Sequence, residues 1–258
     1  MEITAKSIGK TLNYISDLRL LDISVQHAEL EGRFFSRHKN PDGTVGGFVE
    51  KTAMVAETAY IGSKALVFDY ARVFGNAEVY GNACVFGNAQ VFNNARVFDN
   101  ALIYNHARVF GDARVFDDAN VYDSAQVFDH ARVFGKAWVY GSALVFGNAE
   151  VFGHTMIFGK AHVYNYSRVF DNARVRNAHV SGKSRVYGNA EVCNDVVVSG
   201  DALVFGYATL SGNAEIKHGS IDIKYNFTST AQIEEYLKSV EELRARLDVI
   251  CTKSILRE

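Results

Sequence analysis

The chain has 258 residues, of which 22% are charged and 48% apolar, with a formal net charge of −2. That is the composition of a soluble globular protein, and it implies no global attraction to nucleic acid or to an anionic membrane surface. Cys84, Cys193 and Cys251 are odd in number, far apart and without metal-ligand spacing, and MEITAKSIGK lacks a signal-peptide apolar core, so a soluble protein of the reducing cytoplasm is expected.

Residues 1–40 carry no repeat. Runs such as LNYISDLRLLDISV mix apolar and polar residues without a clean period. An open end of a stacked β-structure exposes unpaired strand edges, so residues 1–44 are expected to form an N-terminal cap.

From Val49 the chain repeats every six residues. Taking the aliphatic residue as position 1, it recurs from Val49 to Val175, slips by one residue in VRNAHV, and resumes from Val180 to Ile216, giving 29 units. Position 2 is aromatic for eighteen consecutive units, Phe68 to Phe170. Position 3 is Gly, Asn or Asp from Asp69 to Gly212, and position 4 is often Asn, as in Asn76, Asn82 and Asn88. Position 5 is Ala in most units, with Thr155, Ser167, Ser184, Val196 and Ser220 as exceptions.

Alternation assigns each position its task. Position 5 and the next position 1 are two residues apart, so they share one face of a strand. One is small and one is branched, which suits a narrow dry interior. Gly, Asn and Asp tolerate the left-handed backbone region, so position 3 is a corner. Short strands and regular corners describe a triangular coil of three units, stacked with strands about 4.8 Å apart. The expected fold is an all-β solenoid over residues 45–220, a parallel β-helix of nine to ten coils roughly 45 Å long. A run of antiparallel hairpins is the competing reading, but strands this short bury no core by hairpin pairing.

After residues 217–228, where the pattern fades, STAQIEEYLKSVEELRARLDVICTKSILRE reads as an amphipathic helix over 229–254. Ser229 and Gln232 form a capping-box pattern. Ile233, Tyr236, Val240, Leu243, Leu247 and Ile250 fall at heptad a and d positions, and Leu237 widens the stripe. The stripe packs on the last coil, meets partner helices, or does both.

An 18-residue period sorts outward residues onto three faces. One carries Cys84, Leu102, Asn120, Trp138 and Met156 beside Phe86, Tyr104, Tyr122, Tyr140 and Phe158. It is apolar and Tyr-rich, as interfaces are, and is read as a subunit or partner contact. A second carries Glu78, Arg96, Arg114, Arg132, Glu150 and Arg168 among aromatics. Its arginines are expected to cover the rings and pair with Glu78 and Glu150. The same pattern can bind single-stranded nucleic acid, but the near-neutral total argues against that, and neither nucleic acid nor membrane is expected as a partner. The third face is mixed: Arg72, Gln90, Arg108, Gln126, Leu144 and His162.

The phrase V-[FY]-G-N-A-x resembles the hexapeptide-repeat proteins. The stretch PDGTVGGFVEK, with Gly43, Gly46, Gly47, Phe48, Val49 and Glu50, followed by such arrays, is similar to the YdcK-like family of bacterial and phage-borne proteins, usually labelled acyltransferases. The resemblance covers about residues 41–216. It implies a left-handed β-helix, an exception to the usual right-handed crossover. It also implies acyl-CoA bound between adjacent prisms and a His general base. The phage-borne relatives add a possible role in blocking or sequestering a host component, with no target identified by the residues. Enzymes of this kind usually carry a loop that closes the site, and none interrupts the coils here.

Candidate bases are His106, His130, His154, His162, His179 and His218. The first three sit on corners in different columns, where solvated residues are the ordinary outcome. His162 and His179 fall one coil apart on the mixed face, beside the slip, close enough to act together as catalytic residues or to bind a metal. Asp171 and Asn177 are their nearest helpers. No P-loop, GxSxG, HExxH or CxxC is present.

Two functions follow. One is a rigid structural or protein-binding module, homo-oligomeric as a trimer or dimer through the apolar face and the helix, with no cofactor and no metal. The other is an acyltransferase using acyl-CoA, with His162 and His179 at its site. The sequence names no acceptor, partner or process.

Overall fold

The structure is a computed structural model that describes residues 16–222 and 225–255, with residues 244 and 246–255 as backbone alone. Three parallel sheets form the sides of a rod of about ten turns. One sheet has 13 strands. It begins with the hairpin His27–Leu30 and Arg33–Lys39, continues through Val45–Glu50 and Leu66–Val67, and ends at Asn226–Phe227. The other two have 10 strands each, from Met54–Val55 to Glu215–Ile216 and from Tyr60–Ile61 to Ser220–Ile221. They are called here the capped, histidine and arginine faces. Every solenoid strand pairs in parallel with the strand one turn away, as Val97 does with Val79 and Val115. Among the described residues antiparallel pairing is confined to the hairpin and its junction with Val45–Glu50.

The repeat explains the coil residue by residue. Position 1 and position 5 fill the interior, where Val97, Ala101, Ile103 and their equivalents have 0% exposure. Position 3 is the corner: Asp69, Asn93, Asp99 and Gly75 all have positive φ. The corner carboxylates also staple turn to turn. Asp69 Oδ2 accepts the Gly87 N–H at 3.1 Å, and Asp117 Oδ2 accepts that of Gly135 at 3.0 Å. Position 4 amides form ladders such as Asn82 Nδ2 to Asn100 Oδ1 at 3.1 Å and Asn100 Nδ2 to Asp118 Oδ1 at 3.0 Å. Position 2 rings stack in columns, as Phe98 does on Phe116 with centroids 4.8 Å apart and planes within 1°. Their separation is close to the strand spacing, so each ring lies in offset contact with the next.

The described part of the N-terminal segment packs on the first coil. The hairpin extends the capped face beyond Val45–Glu50. Gly46 and Gly47 are there for close approach: a Cβ on Gly46 would lie 2.5 Å from the Ile61 carbonyl oxygen, and one on Gly47 2.0 Å from that of Ala65. Glu50 anchors the junction, accepting a bidentate pair from Arg33 and the Asp69 N–H at 2.6 Å. Burial alone would raise its carboxyl; those hydrogen bonds outweigh burial and hold it below the usual range.

At the other end the coil continues further than the repeat suggests. After Ile216 the chain drops one residue at a corner, so Ser220 and Ile221 pair with Leu203 and Val204, and Asn226 and Phe227 pair with Thr209 and Leu210. Ser220 therefore faces outward and Ile221 inward, a correction to its placement at position 5. The helix Thr230–Ile255 follows. The Gln232 N–H donates to Ser229 Oγ at 3.4 Å, while Gln232 Oε1 accepts from Thr228 N at 2.8 Å, a capping box shifted by one residue on its return bond. Ile233 is 1% exposed in the same core as Phe227, with Tyr236 and Leu237 packed against it. These first turns cap the last coil. Val240 is half-buried and Leu243 exposed; the side chains of Leu247 and Ile250 lie outside the described residues.

Candidate functional site

The apolar face is two regions. Its first part is covered by the protein's own N-terminal segment: Leu18 and Phe35 form a buried cluster with Leu66, Phe68, Cys84, Phe86 and Tyr104, joined by Leu21, Val25, Leu30 and Leu102. Arg19 reaches Cys84 Sγ at 3.3 Å, and Arg37 lies 3.9 Å from the Phe48 ring centroid while donating to the carbonyls of Leu21 and Asp22. Tyr104 is buried in this intrachain cluster, and half-buried Leu102 packs against it. Burial pushes the Tyr104 hydroxyl up to about 12. Beyond them Tyr122, Tyr140, Met156 and Phe158 are half-buried, and Trp138 is 44% exposed with its ring edge-on to Tyr122.

On the arginine face the expected pairing holds. Arg96 pairs with Glu78 at 3.3 Å, and Glu150 is clamped by Arg132 and Arg168, each at 2.9 Å. Arg132 lies over Phe116 and Phe134, and Arg168 over Phe152 and Phe170. The guanidiniums are laid along the aromatic column, so they shield it from water while keeping their charge at the surface.

The histidine face brings together the two candidate catalytic residues. His162 and His179 are Cα partners on adjacent parallel strands, their ring centroids 4.7 Å apart and their planes at 80°. The first one-residue deletion makes the pair. It shortens one turn between Arg174–Arg176 and His179–Val180, so His179 rather than Val180 stands outward opposite His162. The corner that shortens is held by Asn177, at φ 50°, whose Oδ1 accepts the Lys160 N–H at 2.8 Å. Burial first, and the nearby His179 second, lower the His162 pKa below its ordinary value, which favours the neutral ring.

A concavity of about 480 Å³ surrounds the pair, lined by Lys160, Asn177, Asn194 and Asp195 as well as the two imidazoles. Asn177, one of the two expected helpers, is in this lining. Asp171 is not in this lining; its Oδ2 accepts the Gly188 N–H at 3.1 Å on another corner. Lys160, Asn194 and Asp195 were missed by sequence reasoning, although their place in the same corner column as Asn177, one turn away on either side, is the signal that finds them. His106, His130 and His154 stay on corners, with His130 Nδ1 3.6 Å from Asp112. Among the described residues no group of three or more His, Cys, Asp or Glu is placed to hold a metal ion, and no helix is long and apolar enough to cross a membrane.

By its coils and its outward ladders this is a parallel β-solenoid of hexapeptide repeats. Residues 125–141, just short of one full turn, match the family model described as YdcK beta solenoid repeat. That match and the stacked coils together fit a YdcK-like hexapeptide-repeat β-helix protein. No curated protein matches the chain.

Proposed function

We propose that the protein is a rigid, non-catalytic scaffold that works by binding protein, and that its first partner is another copy of itself. The observation that carries this reading is the aromatic stripe of Tyr122, Trp138, Tyr140, Met156 and Phe158, which continues past the described segment that covers the first half of the face. A Tyr- and Trp-rich apolar patch is what the buried centre of an interface is made of. The described coils between Val49 and Ile216 also run without an inserted loop that could close a reaction site. Light scattering on the full chain and on Trp138→Glu tests this. A dimer or trimer that dissociates in the variant is expected; a full chain that stays monomeric, or a variant that assembles unchanged, ends it.

A second reading is an acyltransferase in which a neutral His162, beside His179, takes the proton of an acceptor hydroxyl or amine as it attacks the thioester carbonyl of acyl-CoA, and returns it to the CoA thiolate that leaves as the C–S bond breaks. The pairing of the two rings inside a concavity favours it. Acetyl-CoA at millimolar concentration must then raise the melting temperature, because a ligand of the native state stabilises it; an unchanged melting temperature removes this reading.

A further inference from the structure

The His162–His179 pair has a geometry that neither reading requires. Backbone hydrogen bonds lock the two strands in register: His162 N–H donates to Ala178 O at 2.9 Å, Tyr164 N–H to Val180 O at 2.9 Å, and His179 N–H to Val196 O at 2.8 Å. Both Cα atoms are therefore fixed, and each side chain has few ways to point. The 4.7 Å between ring centroids is set by the spacing of the two strands. Metal–imidazole bonds are about 2.0–2.1 Å, and a ring nitrogen lies about 1.1–1.2 Å from its centroid, so two imidazoles at a right angle on one ion have centroids ~4.5 Å apart, and at a tetrahedral angle ~5.2 Å apart. The observed separation sits near the right-angle value. Turning a ring about its Cβ–Cγ bond leaves its centroid nearly in place, so the separation survives the reorientation that would aim both nitrogens at one point.

We propose that His162 and His179 bind one divalent transition-metal ion between adjacent coils, as neighbouring ligands at about a right angle, with water filling the remaining positions. Imidazole suits copper, nickel and zinc alike, but square or octahedral coordination belongs to copper(II) and nickel(II), whereas zinc prefers a tetrahedron. The site is therefore selective for copper and nickel over zinc. Its surroundings allow this. The concavity is wide enough for waters, and Lys160 and Asp195 on its lining carry opposite charges that offset one another. The Asn177 Oδ1 accepts the Lys160 N–H. The corner histidines do not face a second histidine one turn away, so among the described residues this pair is singular. A bound ion would also tie together the two turns at the deletion.

The test uses the full chain without an affinity tag, titrated with NiCl2, CuCl2 and ZnCl2 by calorimetry. One equivalent of nickel is expected to bind, copper more tightly and zinc less tightly. His162→Gln and His179→Gln should each weaken nickel binding by about tenfold or more, as losing a ligand outweighs losing an outer-shell partner, while His130→Gln leaves it unchanged. Both rings are on the outer surface, so the metal-free variants should melt with the wild type, and only the wild type should gain melting temperature on adding nickel. Equal nickel affinity in the wild type and both variants overturns the site. Zinc binding more tightly than nickel overturns the right-angle geometry.

Discussion

Asn40 and Ile61 exchange two hydrogen bonds: Asn40 Oδ1 accepts the Ile61 N–H at 2.8 Å, and Asn40 Nδ2 donates to the Ile61 carbonyl at 3.1 Å. Tyr60–Ile61 is the edge strand of the arginine face. A single buried side-chain amide thus takes the place of the missing strand there. Asn40→Leu leaves an N–H and a C=O buried without partners and should cost about 1–3 kcal/mol for each group not rescued by water. Equilibrium unfolding measures the loss, and hydrogen exchange at Ile61 should accelerate before exchange in the middle coils does.

Two glycines at the entry to the first coil should lose stability by very different amounts. At Gly47 a Cβ would meet the Ala65 and Gly62 carbonyl oxygens at 2.0 and 2.6 Å, both of them backbone. At Gly43 a Cβ meets nothing, but φ is +82°. Gly43→Ala should therefore cost about 1 kcal/mol of backbone strain. Gly47→Ala must displace a strand and should detach the cap, seen as a large drop in melting temperature. Equal small losses at the two sites would refute this account.

Burial pushes the Cys84 thiol up to about 12, with Arg19 pulling the other way. An unfolded thiol ionises near pH ~8.5. Between those values the unfolded chain releases a proton that the folded chain keeps, so stability falls as pH rises, by up to ~1.4 kcal/mol per pH unit from this group. Urea unfolding at pH 8 and pH 10 should show the decline, and Cys84→Ala should lessen it. In a Cys193→Ser, Cys251→Ser background the remaining thiol should react with a disulfide reagent only as fast as the protein opens.

The C-terminal helix divides into a capping and a projecting part. Ile233 is buried against the last coil, and Leu237 rests on Gly219, where even a Cβ would be 2.7 Å from Leu237 Cδ2. Ile233→Ala should cost about 2–5 kcal/mol. Leu243 is 56% exposed, so Leu243→Ala should stay within about 0.5 kcal/mol in a monomer. A concentration-dependent loss of melting temperature in Leu243→Ala would instead place this residue in an oligomer contact.

Much of the coil was legible because its causes are local. A six-residue period states which side chains point inward, and Asn, Asp or Gly at position 3 states where the backbone must turn. Stacking of the aromatics and the pairing of Arg132 and Arg168 with Glu150 follow from an 18-residue turn alone. The sequence reading lost the coil at Lys217, because Lys217, His218 and Gly219 carry neither the aromatic nor the Asn-Ala phrase. The register of Ser220 against Leu203, 17 residues earlier, restores it.

By itself the sequence determined the inward pattern, the corners and the stacked columns, which depend on neighbours one turn away at a constant spacing, and the pairing of His162 with His179, which depends on the one-residue slip in that spacing. The tertiary structure decided what lies on those faces. Leu18 and Phe35 cover Cys84, Phe86 and Tyr104, Asn40 closes the edge at Ile61, and Ile233 seals the last coil. None of these contacts has a period. Each joins a non-repeating segment to the rod, and which apolar residues meet is set by where the chain can reach once the rod exists, because the hydrophobic effect rewards buried area and not a particular partner.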